Sequence, residues 1–131
     1  MTPSRAARPL PAAELLQAAA IAAASKKAID MVGLDLSGLD GVADYFLICS
    51  GSSEPQVKAI ADAVEDQLRE RGAKPWHVEG REFRHWVLLD FVDVVVHVFG
   101  TEERAYYSLE RLWSDAPKVR VQDAGAPSGA R

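Results

Sequence analysis

Cysteine is nearly absent from this 131-residue chain: there is one, Cys49, inside an apolar run. A single thiol cannot close an intramolecular disulfide, so a reducing compartment suits the protein. Basic runs are also missing. None exceeds Lys26-Lys27, and 15 Lys and Arg face 19 Asp and Glu, for a net charge of -4. Proteins bind bare nucleic acid by neutralising phosphates with a basic stripe, so extensive direct contact with RNA or DNA is excluded. A protein partner, and a basic one, fits better. No apolar run approaches the ~18 residues of a membrane span. The nearest stretch, "AAELLQAAAIAAAS", is interrupted by Glu14 and Gln17 and follows Pro9 and Pro11. A secretory core is an unbroken apolar run, so this one reads as a helix behind a leader. The P-loop pattern and the G-x-S-x-G nucleophile elbow are absent too. His77, His85 and His97 lack the HxH or HxxxH spacing that would support a metal site.

What is present suits one domain. Residues 1–11 are rich in Pro, Arg and Ala and are expected to be a disordered leader. Residues 121–131, rich in Gly, Ala, Pro and Ser, are expected to be a disordered tail. Between them, residues 12–120 show clear periodicity. The pattern predicts a helix from Pro11 to Met31 closed by Gly33, then a short strand from Leu34 to Gly38. Tyr45 to Cys49 is apolar at every position, as in a central strand covered on both sides. Ser52 or Ser53 can cap the next helix, with Pro55 in its first turn. Val57, Ile60, Ala61, Val64 and Leu68 mark that helix's buried face, and Gly72 stops it. Trp76 to Gly80 reads as a strand. His85–Phe91 and Val94–Phe99 are joined so tightly that they must form an antiparallel hairpin. Thr101 is placed to cap a last helix reaching Trp113, with acidic residues in its first turn. The order predicts an α/β domain: one mixed sheet of about five strands flanked by helices.

Three features could carry chemistry. A strand breaking at Gly51-Ser52-Ser53 before a helix resembles a phosphate-holding turn. The enzyme reading is a metal-dependent nucleotidyltransferase-like protein, which needs paired carboxylates for its metals. Asp90 and Asp93 are the nearest pair, but residues three apart in a strand point to opposite faces. The turn therefore reads as a helix start. Cys49 reads as a small buried hydrophobe, and His97 as a hydrogen-bonded core or edge residue. In "HWVLLDF", alternation assigns Val87, Leu89 and Phe91 to the core and Trp86, Leu88 and Asp90 to the other face. That second face suits either cover by a helix or a protein interface ending in a charge. In the last helix, Leu109, Leu112 and Trp113 share a side, with Tyr107 and Arg111 opposite. An exposed Tyr beside an Arg is a composition enriched at binding hot spots.

Three segments, "DYFLICSGSSEPQVKAIAD", "VEGREFRHWVLLDFVDVVVHVF" and "ERAYYSLERLWSDAP", together resemble the ribosomal silencing factor family, also called Iojap, from about Ala18 to Pro117. The resemblance implies a nucleotidyltransferase-like sheet without the catalytic acids, no reaction, no cofactor and no metal. It implies a partner, protein fourteen of the large ribosomal subunit, and steric block of subunit joining that represses translation. The same resemblance implies a homodimer when free, and the short leader without a clear transit peptide favours a cytoplasmic location. Its partner-facing residues map here onto Trp86 and Asp90, with Leu88 between them, and onto Tyr107 with Glu110 and Arg111 nearby; Glu79 in "VEG" is a further candidate. Two positions depart from the family pattern: Pro55 replaces a usual basic residue, and Val92 stands where Gly is typical. Val resists the positive φ that a Gly allows, so the hairpin joint and the placing of Asp93 are in question.

Overall fold

The computed structural model describes residues 10–39, 41 and 43–121. The expected leader and tail lie almost entirely outside that range. Helix α1, Ala12–Ser25, ends six residues before the expected Met31. The stop is a wrap of the chain around the last turn. Lys27 adopts φ 64, its N–H bonds to Ala24 O at 2.8 Å, and Ala28 N–H bonds to Ala23 O at 3.2 Å. This is the closing pattern usually built on Gly, here built on Lys, so the sequence carried no visible signal for it. The chain then enters β1, Ile29–Asp35. Gly33, expected to end the helix, lies inside that strand.

Strand β2, Tyr45–Gly51, is buried from Phe46 to Gly51. Helix α2, Glu54–Glu70, starts as expected: Ser53 Oγ accepts from Gln56 N at 3.2 Å, and Pro55 sits in the first turn. Its five apolar residues Val57, Ile60, Ala61, Val64 and Leu68 are all buried, each large one stabilising the fold by roughly 1.5–3 kcal/mol. Gly72, at φ 89, closes it. Strands β3, His77–Glu79, β4, Trp86–Asp90, and β5, Val94–Gly100, follow.

The last helix departs from expectation. It is two short pieces, α3, Thr101–Tyr107, and α4, Leu109–Leu112, broken at Ser108 with φ 46. Gly100, not Thr101, occupies the cap position. The break undoes the shared apolar side: Leu109 is buried, but Leu112 is 73% exposed. A two-residue strand, β6, Lys118–Val119, pairs with Gly33 and Leu34 and makes the sheet six-stranded.

The sheet order is β3-β4-β5-β2-β1-β6. Only the central β2–β5 pair is parallel. Helices α1 and α2 cover one face, over Leu47, Cys49, Val87, Leu89, Val96 and Val98. On the other face, Leu109 of α4 joins Phe46, Ile48 and Phe99 in a smaller core. Among the described residues that second cover is partial, and its gap lies over β4. Among the described residues no helix is long and apolar enough to cross a membrane.

Candidate functional site

Strand β4 builds the site. Its alternation sends Val87 and Leu89, both fully buried, toward α2, with Phe91 buried just beyond. Trp86, Leu88 and Asp90 point the other way and are each half-buried. Register extends this row sideways. Trp86 pairs with Phe99, Leu88 with His97 and Asp90 with Val95 on β5. On the outer side Leu88 pairs with Glu79, and Asp90 with His77. Paired residues share a face, so the open face is a grid of apolar and aromatic groups edged by Glu79 and Asp90.

Tyr107 reaches this grid from α3. Its ring lies 4.8 Å from that of Trp86, and Trp86 lies 4.8 Å from Phe99. Trp86 also donates its indole N–H to Nδ1 of His97 at 3.1 Å. Burial lowers the pKa of His97 to about 4, which keeps the ring neutral and able to accept. Its Nε2 is buried with no hydrogen-bond partner among the described residues.

The other two partner-facing candidates behave differently. Glu110 does not face outward. Its Oε2 accepts from Arg104 Nε at 3.0 Å and Nη2 at 2.7 Å. Burial raises the Glu110 carboxyl, but the Arg104 hydrogen bonds outweigh it and hold the pKa below the usual range. Arg111 is exposed on α4, beyond the break at Ser108. Tyr107 and Arg111 are therefore not partners on one helical side.

Sequence reasoning missed Arg104. Its side chain is 12% exposed, and it also donates to Ser50 Oγ at 2.8 Å and to the Asp30 carbonyl at 2.7 Å. One guanidinium thus ties α3 and α4 to β1 and β2, and holds Tyr107 against Trp86. No local signal distinguished it, because its partners are 54 and 74 residues away.

The Gly-Ser-Ser turn lies elsewhere. Gly51 pairs with Gly100 at one end of the parallel strands, while Asp93 hydrogen-bonds the backbone of Asp44 and Tyr45 at the other. Six residues of strand separate them, roughly 20 Å, so the carboxylates cannot serve the turn. The turn is also occupied. Gln56 Oε1 accepts from Ser52 N at 2.5 Å and Ser52 Oγ at 2.8 Å, and Gln56 Nε2 donates to the carbonyls of Lys26 and Lys27. This stitches α2 to the end of α1. The shallow cavity beside it is lined by Glu54, Glu102 and Glu103 as well as Arg84 and His85, a poor setting for phosphate. Cys49 is fully buried, and burial pushes its thiol up to about 12, which keeps it neutral and unreactive. The three histidines are dispersed: His77 contacts Glu79, His85 lies between Glu54 and Glu103, and His97 is enclosed. Among the described residues no group of three His, Cys, Asp or Glu could hold a metal.

Fold and site together define a one-domain α/β protein with a six-stranded mixed sheet, whose most developed surface is an aromatic sheet face rather than a cleft. The family model described as "Ribosomal silencing factor during starvation" matches residues 9–131. The chain belongs to that family of ribosomal silencing factors. It is 50% identical over 109 residues to the ribosomal silencing factor of Halalkalibacterium halodurans, covering 83% of this chain and 93% of that protein. It is 52% identical over 103 residues to the Bacillus subtilis factor, covering 79% and 87%. A solved structure from Chromobacterium violaceum superposes with TM-score 0.78 at 36% identity, covering 88% of this chain and 98% of that one.

Proposed function

We propose that this protein represses translation by binding the large ribosomal subunit through its protein fourteen and blocking union with the small subunit. The observation that carries the reading is the uncovered row Trp86–Leu88–Asp90, with Tyr107 packed on one end and Glu79 alongside. Apolar and aromatic anchors edged by carboxylates suit a basic protein partner, since a few such anchors dominate interface energy. Arg111 stands at the margin. Glu110 contributes through Arg104, by holding Tyr107 in place. The net charge of -4 adds repulsion toward the RNA of an approaching small subunit.

The role is steric and involves no catalysis or cofactor. It is exercised in the cytoplasm, and the free protein forms a homodimer, which sedimentation equilibrium across a range of concentrations tests. For the partner face, titration calorimetry against isolated ribosomal protein fourteen is the direct test. Tyr107→Ala is expected to weaken binding by about 2 kcal/mol or more with the fold intact, because Tyr107 is half exposed. Wild-type affinity for that variant would place the interface elsewhere.

A further inference from the structure

Beyond Asp90 the open face does not end. It runs into a groove of about 560 Å³ at the tip of the β4–β5 hairpin. Val92, Val95 and Ala43 line it with Trp76, and Asp44, Asp90 and Asp93 complete it. Trp76 is 75% exposed and Val92 60%. Two large apolar groups left open beside one another call for an occupant.

The charge of the groove says which kind. Its three carboxylates form no ion pair with any described residue. Asp90 spends one oxygen on the Val92 N–H at 2.8 Å, which leaves the other free. Among the described residues no Lys or Arg lines the groove. An indole face beside several unpaired carboxylates is the chemistry that receives a guanidinium: the ring attracts the cation and a carboxylate takes its planar fork. Lysine would satisfy the charge but not the fork. Val92 adds to this. A β-branched residue at φ 76 is costly, and the hairpin keeps it with its side chain against Trp76's groove.

We propose that this groove is a docking site for an arginine-bearing, extended segment of the protein partner that covers the aromatic face. The proposal rests on the partner reading above and extends it by one subsite. Trp86 and Tyr107 anchor one end of the interface. The arginine enters at the other end, about 13 Å along β4. The groove's acidity excludes RNA as its occupant.

The test uses the full chain and purified large ribosomal subunits, with affinity measured from low to high salt. Trp76→Ala and the double variant Asp44→Asn/Asp93→Asn are suitable because they spare the fold. Trp76 is exposed, and Asp93 holds the Asp44 and Tyr45 amides through its backbone carbonyl. Asp90 is left alone because it fixes the turn. The expected result is a tenfold or greater loss for Trp76→Ala, and for the double variant a weaker affinity that declines less steeply with salt. If Tyr107→Ala weakens binding while both groove variants bind as wild type, the groove is unused and the proposal fails, with the aromatic face still in place. If the wild-type protein does not bind large subunits at all, the partner reading fails and the groove proposal falls with it.

Discussion

Gly80 shows how tightly single residues are fixed near the site. It turns the chain out of β3 at φ 86, and a Cβ there would land on the carbonyl oxygen of Trp86. Gly80→Ala combines a disfavoured backbone with a clash against backbone that cannot move aside. It is expected to cost about 2 kcal/mol or more, read as a lower denaturant midpoint. His97 supplies a second prediction. Its folded pKa, about 4, lies below the ordinary 6.5, so the unfolded chain binds the proton more readily. Its contribution is therefore complete above pH 6.5 and is lost as pH falls toward 4, by up to about 3 kcal/mol. His97→Gln keeps an acceptor for Trp86 and should flatten that limb of the stability curve. A variant as acid-sensitive as wild type across this window would contradict the assignment. The same indole bond means that Trp86→Ala would disturb the core as well as the surface, so Tyr107 is the cleaner probe of binding.

The elements were unevenly legible. Helix α2 could be read end to end, because its cap, its apolar face and its terminal Gly are all local. The β4–β5 hairpin was equally plain from the short joint between two apolar runs. The end of α1 was not, since Lys27 takes a conformation that its side chain does not advertise. The break at Ser108 was invisible for a different reason. It is held by Arg104, whose partners on β1 and β2 are remote in sequence. The shared face of Trp86, Leu88 and Asp90 on β4 could be read from alternation, whereas the packing of Tyr107 on Trp86 and the inward turn of Glu110 could not. Arg104→Met strands Glu110 and frees α3 and α4, and should cost about 3 kcal/mol. A loss under 1 kcal/mol would show that the knot is not structural. Val92→Gly should do the opposite. Val92 holds φ 76 where a glycine is comfortable, so the change should raise stability by roughly 1 kcal/mol. Equal or lower stability by chemical denaturation would show that Val92 sits there without strain.

As a whole, the molecule is a sheet with a thick side and a thin side. Among the described residues helices α1 and α2 cover one face, while α3 and α4 cover only part of the other. This asymmetry follows from the path of the chain after β5. Broken at Ser108, its described part turns toward β1, where Lys118 and Val119 pair with Leu34 and Gly33, and leaves strands β3 and β4 unroofed. The exposed face is thus built by the same topology that forms the core. The carboxyl end of the parallel strands, where open α/β sheets commonly bind ligands, is occupied by Gln56 and lined with carboxylates. The central claim is that this face takes up the large ribosomal subunit and so prevents joining. Gradient sedimentation tests it most directly, with protein added to purified large subunits before small ones. The wild-type protein is expected to migrate with the large subunit and abolish the joined peak, and Tyr107→Ala to restore the peak. Protein remaining at the top of the gradient, with joining undiminished, would contradict it.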